Sequence, residues 1–256
     1  MAFKLYKKKM RETQKRFFVG TSGWMYPDWR GKFYPEKLPT KNWFGFYSQQ
    51  FTTVEINATF YHLMKEETFK NWGERAPQDF IYSIKMWRQI THRQRLIGAW
   101  ESVSKFISNA ELIGKSLGPI LIQLPPNLKC DSLLLADFLD DLPEGFSYVV
   151  EFRKDDWFTD EIYNILKARE IGFVIFHHPK IKCPIVVTSK IIYLRFHGKD
   201  KLYSGKYEEK NLVEWADFIH KHLKKNHSVF AYFNNDFDAN AIDDAFTLRR
   251  LVSERD

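Results

Sequence analysis

Short apolar runs in this chain carry ionisable or amide residues at every second position. In Thr53-Val54-Glu55-Ile56-Asn57, an extended backbone puts Thr53, Glu55 and Asn57 on one face and Val54 and Ile56 on the other. Glu151 and Arg153 flank Phe152 in the same way. Tyr193, Arg195 and His197 alternate with Leu194 and Phe196, and Tyr232 and Asn234 flank Phe233. Lys85 and Gln123 stand near the ends of two more such runs. Glu55 and Glu151 are candidate catalytic acid and base, with His197 as a third proton carrier. Lys85, Arg153 and Arg195 suit a carboxylate or phosphate, which Arg can hold through two parallel hydrogen bonds. Asn57, Gln123 and Asn234 would orient hydroxyls, and Trp24 and Tyr61 complete the expected substrate contacts.

These side chains need elements that bring them together. Eight runs read as strands: Phe17–Thr21, Thr53–Ile56, Phe80–Lys85, Ile120–Leu124, Tyr148–Phe152, Gly172–Phe176, Ile191–His197 and Val229–Asn234. They are rich in Val, Ile, Phe and Tyr, as strands covered on both faces are. Helical patterns lie between them at Asn42–Phe51, Glu66–Ala76, Ala99–Leu117, Ser132–Asp140, Asp160–Arg169, Glu209–Lys225 and Ala239–Val252. Leu212, Trp215, Ala216, Ile219 and Leu223 repeat at the spacing of a buried helical stripe. Asp131 and Thr159 are placed to cap two helices. The segment His177–Ser189 carries two prolines and predicts an irregular crossover. Strand–helix alternation at this length predicts one α/β domain, a TIM-type (β/α)8-like barrel of parallel strands surrounded by helices. The polar face of each strand then points into the barrel, and the strand ends gather where barrel active sites lie.

Charge supplies the reason to expect a site there. An unpaired buried charge costs several kcal/mol, on the scale of a whole domain's stability. Glu55, Glu151, Lys85, Arg153 and Arg195 must therefore pair with one another or line a wet cavity, and the two arrangements are compatible. Paired carboxylates are also the equipment of glycoside hydrolysis, although glutamates beside arginines more often form ion pairs. One of His177 and His178 could join Glu55, Glu151 and His197 around a divalent metal, but nothing in the spacing demands it and no cofactor is predicted. The chain has no GxGxxG, no P-loop and no GxSxG.

Two loops stand out. Residues 22–41 hold Trp24, Tyr26, Trp29, Phe33 and Tyr34, which would make a lid, a stacking platform or a packed plug. Residues 198–207 hold Lys199, Lys201, Ser204, Gly205 and Lys206, which would form a phosphate cradle or a solvated turn.

The chain has 256 residues, a hydrophobic fraction of 44% and a net charge of +7. Residues 1–16 carry seven basic residues against Glu12 alone, so six of those net charges sit in a terminal tail and the barrel domain spans 17–256. Nucleic acid is therefore not the expected partner of the body. Two separated cysteines, Cys130 and Cys183, fit a reducing compartment, and no run is long and apolar enough for a membrane span. A cytoplasmic protein with a small anionic or sugar-like ligand is expected; its oligomeric state is left open.

Several separated motifs, in order, resemble the YecE-like family, a domain of unknown function. They are Gly20-Thr21-Ser22-Gly23-Trp24 with Tyr26 and Trp29, Phe33-Tyr34-Pro35, the Thr53–Asn57 run with Thr59-Phe60-Tyr61, Thr91-His92 and Gln123-Leu124-Pro125-Pro126. Glu151-Phe152-Arg153 with Trp157, Arg195-Phe196-His197-Gly198 and Tyr232-Phe233-Asn234-Asn235 continue the match. The resemblance implies a TIM-barrel-like fold and a loose analogy to sugar isomerases, with no catalytic residues to carry over. Met64, Lys154-Asp155-Asp156 and His177-His178 depart from the pattern, which usually places an acid after the sixth strand.

Overall fold

The computed structural model describes residues 16–198 and 202–255. The basic tail before Arg16, together with Lys199 and Lys201, lies outside the described residues. Eight strands form the frame: β1 Phe17–Thr21, β2 Thr53–Ile56, β3 Ile81–Lys85, β4 Leu117–Gln123, β5 Tyr148–Glu151, β6 Gly172–His177, β7 Ile191–Phe196 and β8 Ser228–Phe233. They pair in parallel in the order β1-β8-β7-β6-β5-β4-β3-β2. Helices surround them: α1 Trp43–Gln50, α2 Ala58–Tyr61, α3 Glu66–Arg75, α4 Trp100–Glu111, α5 Ser132–Asp140, α6 Asp160–Ala168, α7 Glu209–Leu223 and α8 Asn240–Ser253. The result is a nearly closed (β/α)8-type barrel. No described helix is long and apolar enough to cross a membrane.

Closure is made by side chains. No ladder joins β1 to β2, yet a Cβ at Gly20 would lie 2.4 Å from the Thr53 carbonyl oxygen. Only glycine lets the strands approach so closely. The buried Tyr47 hydroxyl spans the seam. It accepts from the Thr21 backbone N–H at 3.0 Å and donates to the Thr53 carbonyl at 3.1 Å. Two groups that a ladder would have paired are thereby satisfied.

Facing follows the alternation of the sequence. Val54 and Ile56 join the large apolar layer between strands and helices. Inside the barrel, Leu121, Val149, Val174, Tyr193, Phe230 and Tyr232 form a separate apolar plug, with Phe18, Ile81 and Ile191 against it. Above this plug Tyr232 reaches across the lumen, its hydroxyl 2.6 Å from Thr53 Oγ1 and 2.8 Å from Ser83 Oγ. The polar strand ends sit over a dry floor.

Asp131 and Thr159 accept hydrogen bonds from the Leu134 and Ile162 amides and cap α5 and α6 as predicted. The predicted helix Ala99–Leu117 is too long. It stops at Glu111, and Gly114 (φ 67°) turns the chain into β4 at Leu117. Strand β4 accordingly starts three residues earlier than the predicted Ile120. The crossover from β6 to β7 carries no described helix. The aromatic segment after β1 is a packed wedge: Trp29 and Tyr34 are buried, and Tyr34 stacks on Trp43 of α1 at 4.4 Å between centroids.

Candidate functional site

Arg195, on β7, is the hub of the barrel mouth. One guanidinium nitrogen donates to Glu55 at 2.6 Å and another to Glu151 at 2.7 Å, so a single cation bridges carboxylates from β2 and β5. All three side chains are buried. Further donors reach both carboxylates. Glu55 takes hydrogen bonds from Ser22 Oγ at 2.8 Å and the Tyr193 hydroxyl at 2.7 Å. Glu151 takes one from Arg153 Nε. Burial alone would raise the Glu151 pKa, but Arg153 and Arg195 outweigh it and hold the carboxyl well below its usual range. Burial works against the charge on Arg195, and the two carboxylates reverse that effect and push its pKa up.

His197 lies in the same layer. Arg153 Nη2 is 3.0 Å from His197 Nε2, and the Asn234 amide is 3.1 Å from Nδ1. A guanidinium can only donate, so Nε2 is the acceptor and Nδ1 carries the proton. The Asn234 amide must then turn its oxygen toward Nδ1. Burial, with Arg195, depresses the His197 pKa to about 3, so the ring is neutral.

Lys85 closes the group at the rim. Its Nζ donates to Gln123 Oε1 at 2.8 Å, and Arg153 Nη2 reaches the same oxygen at 3.4 Å. The ammonium also sits 4.0 Å from the centroid of the Phe60 ring. Among the described residues no carboxylate pairs with Lys85. Burial and the Arg195 charge lower its pKa to about 7.

The structure thus gathers Glu55, Glu151, His197, Lys85, Gln123, Arg153, Arg195 and Asn234 at one end of the barrel. Asn57 follows β2 at the start of α2, half-buried, and its Oδ1 is a buried acceptor with no donor among the described residues. The other two named contacts are placed differently. Trp24 packs its ring against Phe44 at 5.5 Å, and Tyr61 is 57% exposed in a cleft beside the mouth. No three His, Cys, Asp or Glu side chains among the described residues come together as a metal-ligating group. His177, for example, has its Nδ1 2.9 Å from the Tyr207 hydroxyl. Lys206 of the loop after β7 is paired with Asp243 at 2.8 Å.

Some contributors were not singled out from sequence. Ser22 follows β1 and Tyr193 shares the inward face of Arg195; strand alternation alone pointed to Tyr193. His92 lies beside the rim with its ring 4.9 Å from that of Phe60, and burial with the nearby Lys85 charge lowers its pKa to about 4. Asp236, just past β8, has a buried Oδ1 with no partner among the described residues, and burial raises its pKa to about 8. No strand periodicity covers either residue.

An eight-stranded parallel barrel with a charged cluster over its strand ends is a class that hosts many chemistries. The chain matches the family described as "Protein of unknown function DUF72" over residues 18–256 and belongs to that family. It is similar to the UPF0759 protein YunF of Bacillus subtilis (strain 168), with 23% identity across 92% of this chain and 94% of that one. It is also similar to the UPF0759 protein YecE of Escherichia coli (strain K12), with 30% identity over 56% of this chain and 50% of that one. Among solved structures, a DUF72 family protein from Thermotoga maritima MSB8 superposes with a TM-score of 0.84 and 26% identity, covering 92% of this chain and 98% of that one. A DUF72 family protein from Enterococcus faecalis V583 gives a TM-score of 0.79 at 18% identity over 92% and 95% of the two chains.

Proposed function

We propose that the barrel mouth binds a small polar anion, a phosphorylated or carboxylated sugar-like molecule, and acts on it by acid–base chemistry. The balance of charge carries this reading. Glu55 and Glu151 supply two negative charges, and Arg195 and Arg153 neutralise both. Lys85 is left over, at the rim, on an amide oxygen and an aromatic face. A desolvated cation without a counter-charge is stabilised by an anionic ligand, and Arg153 and Gln123 stand beside it to help hold one. With a pKa near 7, the Lys85 amine can also take or give a proton at neutral pH. Glu55, Glu151 and His197 would set the field and position the arginines around the reacting atoms, with the two glutamates as proton carriers once a ligand displaces Arg195 or Arg153. Asn57 and Asn234 would meet hydroxyls. No cofactor is invoked, and a cytoplasmic setting suits two free thiols.

One observation favours a second reading, a binding module without turnover. Each carboxylate oxygen of Glu55 and Glu151 already accepts from a protein donor. A thermal-shift screen of inorganic phosphate, sugar phosphates and hydroxy acids, followed by product analysis of each hit, separates the two. Stabilisation with conversion of the hit supports the enzyme, and stabilisation by an unchanged hit supports the module. If no anion stabilises the protein, both readings fail. Nucleic-acid binding through residues 1–16 would instead appear as salt-dependent affinity lost when that tail is deleted.

A further inference from the structure

Beside the mouth, next to Phe60, lies a second basic depression that the acid–base reading does not use. It is lined by Tyr61, His62 and Leu63 after β2 and by Trp87, Arg88 and Arg93 after β3. We propose that this cleft is an independent binding site for an anionic group, phosphate or carboxylate, carried on a planar ring.

Five observations converge. The lining holds two arginines and no acidic residue. Among the described residues neither arginine is in an ion pair, and the side-chain bond of Arg93 is a long one, 3.4 Å to Gln89 Oε1. Arg88 Nε is buried with no acceptor among the described residues, although a guanidinium donor withheld from water is costly unless bonded. Its guanidinium carbon sits 5.8 Å from the Phe60 ring centroid, while Lys85 lies 4.0 Å from the same centroid, so Phe60 carries one cation belonging to the mouth and one to the cleft. Two large rings reach the cleft: Tyr61 is 57% exposed and Trp87 is half-buried. An open aromatic face next to an unsatisfied guanidinium suits a ring bearing a negative substituent.

The backbone that presents the arginines is unusual too. Gln89–Arg93 forms a single π-helical turn, and Arg95 (φ 53°) and Leu96 (φ 72°) follow in left-handed conformation without being glycine. Such turns and such strain persist where the surrounding structure holds them, frequently at binding sites.

The cleft does not depend on the mouth being a site, and the test keeps the two apart. Phenyl phosphate is titrated into the full chain and followed by calorimetry and by tryptophan emission, with inorganic phosphate as the ringless control. Saturable binding is expected, at least several-fold tighter for phenyl phosphate than for inorganic phosphate. The paired substitutions Arg88→Gln and Arg93→Gln should weaken it at least tenfold, and Tyr61→Ala, which removes a largely exposed ring, should weaken it several-fold. Lys85→Met, whose ammonium shares the Phe60 ring with Arg88 but is bonded to Gln123 in the mouth, should weaken it by less than about threefold, through its screened charge alone. Absence of saturable binding, equal affinity for the ringless probe, or loss in Lys85→Met would each overturn the proposal. If the double variant does not fold, retention of full affinity in Tyr61→Ala would overturn it as well.

Discussion

The inner layer of the mouth and its rim contain the same kinds of residue in opposite electrostatic states. Inside, Arg195 is fully buried, but two carboxylates face it, and each carboxylate has further donors from Ser22, Tyr193 or Arg153. At the rim, Lys85 meets an amide oxygen and a phenyl ring, and among the described residues it is in no ion pair. The inner charges are satisfied by the fold, so removing one leaves its partners stranded. The Lys85 charge is tolerated at a cost, so removing it relieves the protein. Burial of charge does not by itself mark a receptor; the absence of compensation does.

The largest effect should come from Arg195→Met. It leaves Glu55 and Glu151 buried with one neighbouring cation, Arg153, and should destabilise the fold by about 3–5 kcal/mol in urea unfolding. A loss under about 1 kcal/mol would mean that the inner layer is wet and the contrast with the rim is false. A smaller loss, about 1.5–3 kcal/mol, is expected for Tyr193→Phe, which removes one donor from the buried Glu55 carboxylate without changing shape.

The rim should show the reverse sign. The Lys85 amine has a folded pKa of about 7, below the value of about 10.4 in the unfolded chain. Between those values the unfolded chain binds more protons than the native one. Stability from this group therefore rises with pH from about 7 to about 10 and is lost as pH falls through 7. The slope approaches about 1.4 kcal/mol per pH unit. In Lys85→Met that slope should disappear from unfolding free energies measured across the window. An unchanged slope would show that Lys85 is charged throughout and already compensated.

Much of this contrast was legible in the chain. Alternation in Thr53–Asn57 and Tyr193–His197 fixed which side chains enter the lumen, because one apolar face had to meet the helices. The caps at Asp131 and Thr159 follow from local chemistry that tertiary packing did not override. What escaped lies outside strand periodicity. Tyr61 and Arg88 sit on loops whose direction no repeat dictates, so the cleft was invisible and Tyr61 was assigned to the mouth. The end of α4 was overrun because Gly114 reads as one small residue in an apolar stretch until its positive φ is seen. Which of the two arginines bridges both carboxylates depends on barrel closure, where the Tyr47 hydroxyl sits beside Gly20 in the β1–β2 seam.

An anion bound in the mouth should supply the counter-charge that Lys85 lacks and so hold its amine protonated above pH 7. Proton uptake measures this directly. A stabilising anion is titrated at pH 8 by calorimetry in two buffers of different ionisation enthalpy. Uptake of close to one proton per anion bound is expected, as Lys85 is recharged, with none in Lys85→Met. Saturable binding with no proton uptake in the wild-type chain would contradict it.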